Sequence, residues 1–154
     1  MSALKHSFEA AGFTNVRTVL SSGNIIFDAR SALEASLERK AEATMQASLG
    51  RTFYTIVRPL EVLRRLLETD PYAAHALPPS AKRVVSFLRV PSTAKLAFPI
   101  ERDGAQIMGM AGREVFTAYV PGEKGPVFMQ LLENAFGREV TTRTWETLKK
   151  CVAA

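Results

Sequence analysis

Apolar and polar positions change period several times along this chain, and each change marks an element. Leu4, Phe8 and Ala11 recur at helical spacing over residues 3–11, where Gly12 follows as a left-handed C′ residue. Val16, Thr18 and Leu20 then alternate with Arg17 and Val19, and Ile25, Ile26 and Phe27 follow Ser21-Ser22-Gly23-Asn24, which predicts a hairpin over residues 16–28. Gly23 and Asn24 are the residue types that most readily take positive φ at such a turn. The spacing returns to helical at Leu33, Leu37, Ala41, Met45 and Leu49, with Ser31 and Glu34 as a capping box and Gly50 as the stop.

The run FYTIVR, residues 53–58, is β-branched and aromatic and predicts a strand. Pro59 opens a helix with Leu60, Leu63, Leu66 and Leu67 inward, ending near Asp70-Pro71. Residues 71–80, with prolines at 71, 78 and 79, form the expected linker. Beyond it KRVVSFLRV, residues 82–90, predicts a strand, residues 92–97 a short helix and residues 98–101 an extended piece. Strands over 106–110 and 114–120, a helix over 127–136 behind Pro126, a short strand over 138–141 and a final helix over 143–152 capped by Thr141 or Thr142 complete the pattern.

In order, the second half reads strand, helix, strand, strand, helix, strand, the ferredoxin-like split βαβ arrangement. The first half repeats it without an opening strand. The expectation is an α+β protein of tandem ferredoxin-like halves, an incomplete one over residues 1–70 and a second over 81–154. A central strand supplies two ladders of backbone hydrogen bonds, so the incomplete first sheet is expected to be marginal or to self-associate.

Two runs carry a resemblance. GFTNVRTVLSSGNIIFD, residues 12–28, resembles the most recognisable segment of a bacterial family known as domain of unknown function 1697, whose members carry Gln-Ser-Gly-Asn before a hydrophobic strand. VTTRTWETLKK, residues 140–150, resembles that family's closing Thr-Thr-Arg-Asn-Trp-Asn-Thr helix. Ser21 stands where glutamine is usual, Thr144 where asparagine is usual, and the family's opening strand, roughly Leu-Leu-Arg-Gly-Ile-Asn-Val-Gly, has no counterpart before residue 3. The resemblance implies a tandem fold and either an amino-terminally shortened copy or a start that lies upstream; it implies no established activity.

Composition narrows the field. A chain of 154 residues, 47% hydrophobic and 23% charged, suffices for one globular unit or two small ones. With no apolar run long enough for a span and no signal-peptide core, a soluble, cytoplasmic protein is expected, without a membrane partner. The single cysteine, Cys151, has no metal-ligand spacing with His6 or His75, so no metal or cofactor is expected and the thiol reads as a packing residue. A net charge of +5 raises the prior for an anionic partner.

The candidate ligand-binding residues are Ser22, Gly23 and Asn24 in the hairpin turn with Thr142, Arg143 and Trp145 at the last helix. Hydroxyls, a guanidinium and helix N-terminal N–H groups suit a small anionic or polar ligand, and an indole can stack on a ring. The competing reading makes Ser-Ser-Gly-Asn turn chemistry, a threonine the cap and Trp145 core. PGEKGP, residues 121–126, lacks the phosphate-loop spacing and reads as a connection. An enzyme of unknown reaction on a small anionic substrate stays open as the alternative, as does weak single-stranded nucleic-acid binding. KRVVSFLRV lacks the RNA-recognition signature, so the second has charge but no motif behind it.

Overall fold

The computed structural model describes residues 2–19, 23–30, 33–50, 55–73, 77–89, 97–120 and 127–154. They form a mixed helix-and-sheet protein with two antiparallel sheets, divided into two compact units: residues 1–65 with 149–154, and residues 66–148. Among the described residues no helix is long and apolar enough to cross a membrane.

In the first unit, helix α1 (Ser2–Ala10) ends as Gly12 requires. The Gly12 N–H donates to the Glu9 carbonyl, the Phe13 N–H donates to the Phe8 carbonyl, and Gly12 sits at φ 98°. This is a Schellman stop, and its usual apolar contact is the Phe8–Phe13 ring pair at 5.2 Å. Strands β1 (Thr14–Val19) and β2 (Asn24–Asp28) then pair antiparallel, with Val19 opposite Asn24 and a register shift between Thr14 and Arg17, where Asn15 takes φ 50°. Phe8, Phe13, Val16, Ala41 and Met45 form the core, and Phe27 closes it against Phe13 at 4.5 Å.

Helix α2 is Glu34–Leu49, with Gly50 ending it at φ 68° and donating its N–H to the Gln46 carbonyl. Its start corrects the capping-box expectation. Leu33 holds the cap position without a side-chain bond, and Glu34 is the first helical residue, where it faces the positive end of the helix dipole. Leu33, expected on the buried face, is 77% exposed.

Part of the strand expected over 53–58 is also corrected. Residues 51–54 lie outside the described residues, and 55–58 pair with no strand among the described residues. Instead the Val57 N–H donates to the Glu38 carboxyl on α2 at 2.9 Å, and Arg58 lies 3.8 Å from the Glu34 carboxylate. Helix α3 (Leu60–Thr69) follows Pro59, and Leu60 and Leu63 pack with Val19, Ile26 and Cys151, which confirms the cysteine as a packing residue.

The second unit is built on five strands, β3 (Lys82–Leu88), β4 (Ile100–Arg102), β5 (Ala105–Ala111), β6 (Glu114–Tyr119) and β7 (Val140–Thr144), in the order β4-β5-β6-β3-β7. Helix α4 (Val127–Phe136) covers one face, where Leu88, Ala105, Ile107 and Val115 meet Leu131 and Leu132. The β4–β5 turn uses Asp103 at φ 47° and Gly104 at φ 85°, an Asp-Gly hairpin signal that the sequence reading passed over. The helix expected over 92–97 and the loop 121–126 fall mostly or wholly outside the described residues. Strand β7 runs to Thr144 rather than Thr141, and helix α5 (Trp145–Ala153) starts two residues later than expected.

Candidate functional site

The hairpin turn is described from Gly23 onward; Ser22 lies outside the described residues. Gly23 takes φ 87° with open space where a side chain would stand, so it supplies the bend and no contact. Asn24 turns inward, 8% exposed, and its Nδ2 donates to the Val19 carbonyl at 3.2 Å across the hairpin end. Both belong to the first unit.

Thr142, Arg143 and Trp145 belong to the second unit, where β3 organises them. Thr142 stands opposite Ser86 and Arg143 opposite Val85 in the β3–β7 ladder. The Arg143 guanidinium donates through Nη1 to the Thr141 hydroxyl at 3.0 Å and to the Thr142 carbonyl at 2.7 Å, so two neighbouring groups orient it. Ser86, fully buried, has a hydroxyl without a hydrogen-bond partner among the described residues.

The last helix is not capped by Thr141 or Thr142, which are ladder residues. Thr144 is the cap: its hydroxyl accepts the Thr147 N–H at 3.2 Å and lies 2.9 Å from the Thr147 hydroxyl. Trp145, the first residue of the helix, is only 4% exposed. Its ring meets Tyr72 edge-on at 5.3 Å, and the Arg83 guanidinium lies 5.7 Å from its centre.

Tyr72 and Arg83 were not singled out from the sequence, and they make this corner. Tyr72 lies in the proline-bearing segment yet is buried, with its hydroxyl 2.8 Å from the Val84 carbonyl and 2.9 Å from the Thr117 carbonyl. It also accepts the Thr117 N–H at 3.3 Å, and its own N–H donates to the Asp70 carboxylate at 3.1 Å. Burial, first of all, pushes the hydroxyl well above the ordinary tyrosine value, partly offset by the Thr117 backbone and the Arg83 charge. Tyr72 is therefore a neutral strut between β3 and β6. Arg83 sits 6.0 Å from the Tyr72 ring centre, half-buried, and no hydrogen bond or acid partner engages it among the described residues. Pro71-Tyr72 and Lys82-Arg83 stand apart in the sequence, and nothing links them until β3 is placed.

Among the described residues no group of three His, Cys, Asp or Glu side chains converges to hold a metal. His6 is exposed on α1, 3.7 Å from Glu9.

Comparison with known proteins places the chain. A family model described as protein of unknown function (DUF1697) matches residues 1–116. The match includes the hairpin run and ends before Thr142, Arg143 and Trp145. No curated protein matches the sequence. Among solved structures the chain is similar to a conserved bacterial protein from Streptococcus pneumoniae, with a TM-score of 0.69 at 20% identity over 99% of this chain and 87% of that one. At that identity the likeness concerns the fold alone.

Proposed function

This chain belongs to the DUF1697 family of proteins of unknown function, and from that premise we propose that it is a binding protein for a small anionic ligand. The ligand sits at the β3–β7–α5 corner of the second unit, on Arg143 and the groups around Trp145, while Thr142, on the other face of β7, contributes the carbonyl that holds Arg143. The observation that carries this is the Arg143 fork, held in place by the Thr141 hydroxyl and the Thr142 carbonyl. A guanidinium fixed by two neighbours loses little freedom when an oxyanion docks, which is where its planar donors outdo a lysine. The net charge of +5 adds long-range attraction for the same class of ligand. Gly23 and Asn24 in the hairpin turn of the first unit, with Ser22, which lies outside the described residues, are proposed as a second contact segment and tested by their own variant.

The fold reading that accompanies this is ferredoxin-like for the second unit. It is supported by the order β5-β6-β3-β7, the 2-3-1-4 arrangement that a split βαβ pair produces when β4 is set aside as an edge addition. A tandem plan, with halves over 1–70 and 81–154 about a connection at 71–80, is the proposed organisation.

The test is a thermal-shift screen of small anions against neutral analogues of the same size. A subset of the anions raises the melting temperature of the wild type and not of Arg143→Met, with Asn24→Ala as the first-unit variant. A wild type whose melting temperature no anion moves overturns the reading.

A further inference from the structure

We infer that Arg83 is the anchor of this corner and that the group it holds is a phosphate dianion, inorganic or the phosphoryl end of a small molecule. The inference rests on the anion reading above and adds to it the residue and the chemical class.

The half-buried arginines of the described residues differ in one respect. Arg17 donates to the Asn15 carbonyl, Arg58 to the Val57 carbonyl, Arg113 to the Arg89 carbonyl and Arg143 to Thr141 and Thr142. Arg89 is also engaged. Arg83 alone among them has only aromatic contacts, the rings of Tyr72 at 6.0 Å and Trp145 at 5.7 Å. Cation–π attraction uses the charge of a guanidinium and does not occupy its N–H donors. Two rings therefore flank the cation, and its donors have no acceptor among the described residues. None of its nitrogens is among the buried atoms that lack a partner, so they face solvent and are open to an acceptor from outside.

The register supplies the second charge. Val85 stands opposite Arg143, and Arg83, two residues before Val85, lies on the same face of β3. Arg83 and Arg143 are thus diagonal neighbours, a relation that sets Cβ atoms about 7–8 Å apart in a sheet. Two guanidiniums at that spacing match a group with close to two negative charges and several acceptor oxygens, which a phosphate is at neutral pH and a carboxylate is not. Asp70, whose charge reaches Tyr72, and Glu146 in the first turn of α5 bear on the corner with the opposite sign. Neither forms an ion pair with Arg83 among the described residues.

Trp145 is the only tryptophan of the chain, so its emission reports on this corner alone. The experiment titrates the whole protein with inorganic phosphate, methyl phosphate and acetate at matched ionic strength, followed by tryptophan fluorescence and by calorimetry. Saturable phosphate binding is expected, weakened about 100-fold in Arg83→Met and about 10-fold in Arg83→Lys, which keeps the charge but not the fork. Far-UV dichroism checks that Arg83→Met is folded, and Arg83→Lys decides if it is not. Tighter binding of methyl phosphate assigns the site to a phosphorylated small molecule; equal binding assigns it to phosphate itself. Acetate binding as tightly as phosphate overturns the class. Unchanged phosphate binding by both Arg83 variants, with loss in Arg143→Met, overturns the role of Arg83 and leaves the anion reading standing. No saturable response to either phosphate overturns the inference, and the thermal-shift screen then decides the anion reading separately.

Discussion

Each unit fixes a non-strand segment with one buried polar side chain, and the two do it in opposite directions. In the first unit a helix reaches out: Glu38, 1% exposed on α2, accepts the Val57 N–H of a passing segment. In the second the segment reaches in, and Tyr72 inserts its hydroxyl against the carbonyls of β3 and β6. The first device uses a carboxyl and leaves its segment out of any sheet. The second uses a neutral phenol and ties its segment to one. Where a backbone donor finds its acceptor therefore decides the fate of a segment more strongly than its intrinsic preference, and residues 55–58, β-prone in composition, illustrate it.

The largest effect is expected from breaking the first device. Glu38→Ala leaves the Val57 N–H without its acceptor in a site with little water and should cost about 2–3 kcal/mol. Glu38→Gln keeps an acceptor oxygen and should recover much of that. Urea unfolding followed by far-UV dichroism measures both, and hydrogen exchange at the Val57 amide localises the change. An unchanged midpoint for Glu38→Ala would break the comparison, since the segment would then be held by something else.

The second device should yield less at neutral pH and show itself at high pH. Tyr72→Phe keeps the ring against Trp145 and removes the hydroxyl from Val84 and Thr117, a loss of about 1–2 kcal/mol. Burial raises the folded-state pKa above the ordinary value of 10.0, so the unfolded chain releases this proton first. The hydroxyl's contribution is accordingly complete below about pH 10 and declines as the pH rises through that value toward the folded one. The gap between wild type and Tyr72→Phe should narrow between about pH 9 and about pH 11, the other tyrosines cancelling between the two proteins. A gap that widens with pH would mean that the hydroxyl is not buried as described.

What the sequence made legible follows the same division between local and distant causes. The Gly12 stop, the Gly50 stop and the bounds of α4 were readable because their determinants lie within a few residues of one another. The start of α2 was misread because Ser31 and Glu34 have the right spacing for a capping box while the helix begins at Glu34 itself. Residues 55–58 were misread as strand because their competitor, Glu38, comes from another element. Thr142, Arg143 and Trp145 were legible as a polar run beside an indole. Tyr72 and Arg83 were not, because their roles exist only once β3, β6 and β7 are in register, and no spacing along the chain encodes that.

The smallest effect concerns the start of α5 and sharpens the role of the run around Trp145. If Thr144 is the cap, Thr144→Ala loses the acceptor for the Thr147 N–H and should cost about 1 kcal/mol. Thr142→Ala removes a half-buried strand hydroxyl that caps nothing, and should cost no more than about 0.5 kcal/mol. Asparagine, the usual residue here in the resembling sequences, is at least as good a cap as threonine, so Thr144→Asn should be neutral or slightly stabilising. Thermal melting of the three variants beside the wild type orders them. If Thr142→Ala proved the most destabilising, the helix would begin where the sequence first suggested, and Arg143 would be a first-turn residue rather than a ladder residue opposite Val85.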